Sequence, residues 1–212
     1  MKTADRILLV ALDLFNRQGA SQVSSVDIAL ELDISPGNLY YHFKGKEILV
    51  KALFERYRLQ LRKILQAPSE HQLTVEEFFY YLFLIFECSH HYRFLYRNTA
   101  DLIESFPELA HGVRQLLKEK DKVIGQVINQ FIVQGDLVTK LEQQKYIVDL
   151  ISMITTQATN HHLLMGDDIN QGQYIQSSLA SILFALAPYL NVSKPAFLDL
   201  HRSIALQKLD NT

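Results

Sequence analysis

A single cysteine, Cys88, stands in the 212 residues, so no internal disulfide can form and the expected setting is the reducing cytoplasm. No apolar run of about 18 residues or more occurs, and no membrane association is expected. The N-terminus carries Asp5 and opens a helical pattern, where a signal peptide would show an apolar h-region and a small-residue cleavage site. Repeats and low-complexity tracts are missing, and so is any alternating strand pattern with hairpin turns. Catalytic motifs are missing too: there is no glycine-rich phosphate loop, no His-Glu-x-x-His, and no nucleophile and base at recognisable spacing. No enzyme, catalytic residue or cofactor is therefore expected. The histidine pairs His90-His91 and His161-His162 do not suggest a metal. Neighbours on a helix point about 100° apart and rarely hold one ion together.

What is present is helical pattern and enough apolar residues, 48%, to bury a core. Ile7, Val10, Ala11, Leu14 and Phe15 repeat at helical spacing over residues 3–18, and Gly19 ends that helix. Ser24-Ser25 offer an N-cap for a second helix to Leu32, with Ile28, Ala29 and Leu32 inward. Ser35 caps a third and Pro36 occupies its first turn, where a missing N–H does no harm. Gly45 separates this from a fourth helix, 46–65, whose apolar positions are Ile48, Leu49, Ala52, Leu53 and Leu59. Beyond Pro68-Ser69 the patterns are longer, at about 73–88, 91–105, 107–134, 142–165 and 171–190, with a short one near 195–208. The expected fold class is all-α. A small N-terminal helix-turn-helix unit (residues 1–48, with linking helix 46–65) precedes a larger helical domain (66–212).

The net charge of −2 conceals an asymmetry. Residues 1–65 hold ten Lys/Arg against seven Asp/Glu, and residues 66–212 hold eleven against sixteen. The basic excess lies on the segment whose two short helices and tight turn form a helix-turn-helix. In such a unit the second helix enters a major groove about 12 Å wide, N-terminal residues first. The small residues Gly37 and Asn38 let the backbone approach, and Asn38 can both donate to and accept from base edges. Tyr40, Tyr41, His42, Lys44 and Lys46 can reach phosphates, as can Ser24, Ser25 and Ser35 at helix starts. Phe43 reads as core and Tyr40 as mixed duty, while Lys44 also fits a solvated turn.

Ile7…Ala11…Leu14-Phe15…Gly19, then Val26…Ile28-Ala29…Ile34-Ser35…Gly37…Leu39-Tyr40-Tyr41-His42-Phe43…Lys46-Glu47…Leu49 resembles the N-terminal domain of the TetR family of bacterial transcriptional regulators. Asp33 stands where that family usually has Gly in the turn, and Asp tolerates the left-handed conformation better than most residues. The resemblance implies a homodimeric repressor with an all-helical ligand-binding and dimerisation domain. It assigns backbone grip to Tyr40, Tyr41, His42 and Lys46, and base reading to Pro36, Gly37, Asn38 and Tyr41.

The segment Phe78–Phe86 is apolar nearly all round, as in a helix buried on several sides. Phe83 and Phe86, with Tyr96, Phe131 and Met153, line either an apolar effector cavity or a plain aromatic core. Arg97, Gln157, Asn160 and His161 interrupt apolar helices, and either orient that effector, pair across helices or face solvent. By resemblance to family members that pair two helices per subunit in a four-helix bundle, the dimer interface falls to Ile151, Ile154 and Ala158 of one helix. Leu179, Ile182, Leu183 and Leu186 of the next complete it. A C2 dimer implies palindromic or near-palindromic operator DNA. The expected function is a repressor released from that operator by an unknown, largely apolar small molecule. The alternative is a ligand-independent regulator or activator that works through a protein partner.

Overall fold

The computed structural model describes residues 2–69 and 71–209. The outermost residues of the two expected domains, Met1 and Asp210–Thr212, lie outside the described residues, as does Glu70. The described residues form helices α1 (Thr3–Gln18), α2 (Ser25–Glu31), α3 (Pro36–His42), α4 (Lys46–Gln66), α5 (Val75–His91), α6 (Phe94–Arg97), α7 (Thr99–Ser105), α8 (Leu109–Gln134), α9 (Leu141–Leu164), α10 (Tyr174–Leu186) and α11 (Lys194–Leu206). Single 3-10 turns cover Ala67–Ser69 and Ile169–Gln171. Among the described residues the β pairing is one isolated bridge, Leu137 to Leu190. No described helix is long and apolar enough to cross a membrane.

Local chemistry sets the helix ends. Gly19 stops α1 at φ 92°, and Gly45 precedes α4 at φ 137°; L side chains rarely adopt either value. Ser24 closes a capping box with Asp27 at the start of α2, and Thr74 does the same with Glu77 at α5. The turn between α2 and α3 holds Asp33 at φ 53°, the left-handed conformation that its sequence position demands.

The expected helix over 91–105 is two helices. Asn98 breaks it at φ −154°, and its side chain accepts from the Asp101 N–H at 3.2 Å to cap α7. An Asn at a cap satisfies an orphan N–H that it cannot reach from a helix interior. Two of the apolar positions of the linking helix, Ile48 and Leu59, are exposed. The inner face of α4 runs instead through Leu49, Val50, Leu53, Phe54, Tyr57 and Leu61.

α1, α2 and α3 pack together, and α4 runs from that unit into the larger bundle, where it lies against α5 and α8. α9 packs between α8 and α10. The core is continuous from Ile7 and Phe15 of α1 to Ile182 and Leu183 of α10.

Candidate functional site: nucleic-acid interface and effector domain

Two residues hold α3 in place. Leu39 is 1% exposed and Phe43, just past its end, is 9% exposed. With these anchors inward, the opposite face carries Pro36, Gly37, Asn38, Tyr40, Tyr41 and His42, all exposed. Tyr41 is 82% exposed and its ring sits edge-on to His42, centroids 5.2 Å apart. Free protein rarely leaves so much aromatic surface on one short helix without a partner for it. Ser35 caps α3 by accepting from the Asn38 N–H at 3.1 Å, and a Cβ added to Gly37 would meet only the Ser35 hydroxyl, at 3.9 Å. The approach to this face is therefore open.

The remaining expected contact residues fall around the same face with different freedom. Lys44 is exposed, and Ser25 is half-buried at the first turn of α2. The Ser24 hydroxyl donates to the Asp27 carboxylate at 2.7 Å and accepts from its N–H at 3.2 Å. The hydroxyl's bond, with one that the Ser24 N–H donates to the same carboxylate at 2.8 Å, holds the Asp27 carboxyl below its ordinary range. Lys46 is committed elsewhere. Its ammonium donates to the Ser21 carbonyl at 3.1 Å and lies 6.0 Å from the centre of the Phe106 ring, so it ties the α1–α2 loop to the segment before α8.

The junction between the small unit and the bundle centres on Asn16, which is buried near the end of α1. Its amide donates to the His91 carbonyl at 2.9 Å, and its oxygen accepts from the Phe94 N–H at 3.0 Å. Arg97 donates to the carbonyls of Asn16 (2.9 Å) and Arg17 (3.2 Å), a cation at the C-terminal end of α1. The Phe15 and Phe94 rings meet at 5.5 Å, and Arg56 of α4 pairs with Asp5 of α1 at 2.6 Å. Sequence reasoning missed Asn16. A polar residue beside Phe15 in an apolar pattern was the available signal, because a buried amide has to be paired.

The expected ligand residues do not converge on one apolar cavity. A cavity of about 620 Å³ is lined by Asn16, Gln60, Glu87, His90, His91 and Arg93, among others, and by none of them. Here burial pulls His90 down to about 4, with Arg93 acting in the same direction. A second, of about 390 Å³, lies between the α1–α2 loop and α6, α7 and α9, and includes Arg97 and Asn160. A third, of about 20 Å³, is apolar and includes Tyr96 with Phe54, Tyr57, Leu95 and Leu116. Phe83, Phe86 and Phe131 line none of these three. They are buried, with Phe131 edge-on to Phe78 at 5.5 Å. Met153, Gln157 and His161 are exposed along one outward stripe of α9.

The expected dimer residues lie mostly inside a single chain. Ile151, Leu179, Ile182, Leu183 and Leu186 are at most 1% exposed within one chain, because they pack α9 and α10 onto their own bundle. A side chain without accessible surface cannot touch a partner. Ala158 is buried as well, and Ile154 is half-buried. The exposed flank of these helices carries Tyr146, Met153, Gln157 and His161 on α9, and Ser177, Ser181 and Phe184 on α10.

Two family models match successive stretches of the chain. A family model described as a bacterial transcriptional repressor matches residues 56–196, and one described as bacterial regulatory proteins of the tetR family matches residues 7–53. The probable HTH-type transcriptional regulator YttP of Bacillus subtilis (strain 168) is 25% identical over 192 residues, 89% of this chain and 85% of that protein. A TetR-family transcriptional regulator from Marinobacter aquaeolei VT8 superposes with a TM-score of 0.84 at 26% identity, covering 96% of this chain and 99% of that one. The ketosteroid transcriptional regulator KstR2 of Mycobacterium tuberculosis shares the fold, with a TM-score of 0.70 at 20% identity over 90% of this chain and 96% of that one.

Proposed function

The chain belongs to the tetR family of bacterial regulatory proteins, and from that premise we propose that it is a homodimeric repressor released from a palindromic operator by a small, largely apolar effector. The observation that carries the reading is the outward face of α3, where Asn38, Tyr40, Tyr41 and His42 stand exposed on a helix anchored by Leu39 and Phe43. Asn38 reads a base edge, and Tyr40, Tyr41, His42 and Lys44 hold phosphates. Lys46 reaches DNA only by leaving Ser21. Two subunits meet through the exposed flank of α9 and α10, around Met153 and Phe184. This sets the two copies of α3 roughly 34–36 Å apart, or a multiple of that spacing. The effector acts through α4 and the Asn16 junction, and shifts operator affinity only by its own preference between the two arrangements.

The test is a fluorescence anisotropy titration of the protein against the DNA upstream of its own gene, at two salt concentrations, with a random duplex as control. Tight, salt-sensitive binding with at least about a thousandfold preference supports a specific regulator. Equal weak binding to a genome-wide library of fragments counts against it. A second reading, a ligand-independent regulator or activator that works through a protein partner, draws on the near-closed apolar cavity of about 20 Å³. Operator affinity that no small molecule alters, together with a partner captured on the operator complex, favours that reading.

A further inference from the structure

Lys120 is 2% exposed, on the buried side of α8. Its ammonium donates to the hydroxyls of Thr155 at 2.8 Å and Thr156 at 2.7 Å, and to the Ser152 carbonyl at 3.4 Å. All three acceptors belong to α9 and all are uncharged. Of the neighbouring carboxylates, Glu119 accepts from Arg62 at 2.7 and 2.5 Å, and Asp121 accepts from the Ser152 hydroxyl while its charge acts on the Lys120 ammonium without an ion-pair contact. Among the described residues no carboxylate pairs with Lys120. A buried ammonium without a directly paired anion is costly, and it persists where something offsets the cost. Burial pulls its pKa down to about 8.

Thr156 is the link. It accepts from Lys120 on one side and lines the small apolar cavity on the other, beside Phe54, Tyr57, Leu95, Tyr96 and Leu116. Leu116 lies one turn before Lys120 on the same helix. An apolar chamber and a buried cation thus stand one hydroxyl apart. We propose that the effector is a carboxylate with a compact apolar body, its head group held by Lys120, Thr155 and Thr156 and its body in the Phe54–Leu116 chamber. The proposal rests on the reading of the chain as an effector-controlled regulator, and it names the chemical class of the effector.

The chamber at about 20 Å³ holds no more than a water. A ligand enters by displacing side chains on α4, α6 or α8. Phe54 and Tyr57 are on α4. Phe54 is already against α8, since a Cβ on Gly112 would come within 2.8 Å of its ring. Tyr57 is hydrogen-bonded to Tyr96 of α6. Filling the chamber therefore pushes on the helix that carries Arg56, the partner of Asp5 in α1. A ligand in this chamber acts on the DNA-binding unit through packed atoms, with no intervening loop.

The test is isothermal titration calorimetry on the full chain with sodium octanoate, octanamide and 1-octanol, repeated on Lys120→Met and Lys120→Gln. Wild type is expected to bind octanoate at least tenfold more tightly than either uncharged probe. In Lys120→Met that ratio falls to about one while the octanol affinity holds, and Lys120→Gln gives the same loss with a polar head in place. Circular dichroism confirms that each variant is folded before its affinities are compared. Equal affinities in wild type, a ratio kept by both variants, or no octanoate binding at all would overturn the proposal. The ligand-free operator titration separates the two readings. Specific operator binding with a flat octanoate ratio removes only the carboxylate assignment, whereas loss of operator specificity removes the regulator reading itself.

Discussion

Residues 3–43 and residues 75–206 are both helical, yet they use burial in opposite ways. In the first region the chemistry faces outward: Leu39 and Phe43 are hidden so that Asn38, Tyr40 and Tyr41 can be displayed. In the second it faces inward, with Lys120, Tyr96 and His90 all buried. A displayed site is nearly independent of the packing beneath it, so its residues can be changed at little cost to stability. A buried site is made of the packing, and every change there is felt by the fold. The largest expected effect tests this within one helix. Leu39→Ala is expected to lower stability by about 2–5 kcal/mol. Tyr41→Ala is expected to leave the thermal midpoint within a degree or two while weakening operator binding. Thermal unfolding and anisotropy on the two variants check the pair, and a large loss of stability in Tyr41→Ala would break the contrast.

The junction is where the two regions meet. Asn16→Ala leaves the His91 carbonyl and the Phe94 N–H without partners, and an unpaired buried group costs about 1–3 kcal/mol. The expected result is a loss of about 2 kcal/mol in unfolding free energy, with faster hydrogen exchange at the Phe94 amide than at amides in the middle of α9. Uniform acceleration throughout the chain would show that Asn16 is an ordinary core residue and no special link between the regions.

The same contrast explains what was legible beforehand. α1 to α4 were readable because their ends are written in local chemistry: Gly19, Ser24, Ser35-Pro36 and Gly45 each impose a conformation without help from distant residues. Asp33 is the instructive case. It departs from the usual glycine, yet takes φ 53° as the turn requires. In the larger domain the existence of the helices was readable but their facing was not. α9 carries apolar residues on both sides, so Ile151 and Met153 look alike in sequence although one is buried and the other is 58% exposed. Only contact with α8 and α10 decides which side is inside. Lys120 was invisible for a related reason, since a lysine in a long amphipathic helix ordinarily faces water. Asn98 was legible in principle: an Asn preceding Thr-Ala-Asp is a cap signal, but it lay inside a run that otherwise reads as helix.

A smaller effect divides the displayed face itself. Asn38→Ala is expected to cost about 1–3 kcal/mol on the operator and to relax preference at one base position. Lys44→Ala is expected to weaken all duplexes alike and to reduce the salt slope by about one. Competition binding against single-base operator variants, at several salt concentrations, reads both. If Asn38→Ala weakens every duplex equally, base reading belongs to another residue.

The smallest effect places one device in both regions. Ser24 with Asp27 and Thr74 with Glu77 are the same capping box, one beneath the displayed face and one at the start of the buried α5. Ser24→Ala and Thr74→Ala should each lower the thermal midpoint by roughly 2–4 °C. Only Ser24→Ala should also weaken operator binding, because α2 braces α3. Acid gives a further check. Hydrogen bonds from the Ser24 hydroxyl and N–H hold the Asp27 carboxyl low, and those from the Thr74 N–H and hydroxyl do the same for Glu77. A carboxyl whose pKa is lower in the folded state binds fewer protons there than in the unfolded state. Its contribution is present above the unfolded value and is lost as pH falls through the folded one. The penalty of either substitution should therefore shrink as pH drops below the ordinary carboxylate range, and the midpoints of variant and wild type should converge. Midpoints that stay apart in acid would mean that the hydroxyl's own bond to the helix N–H carries the cap and the returning carboxylate adds little.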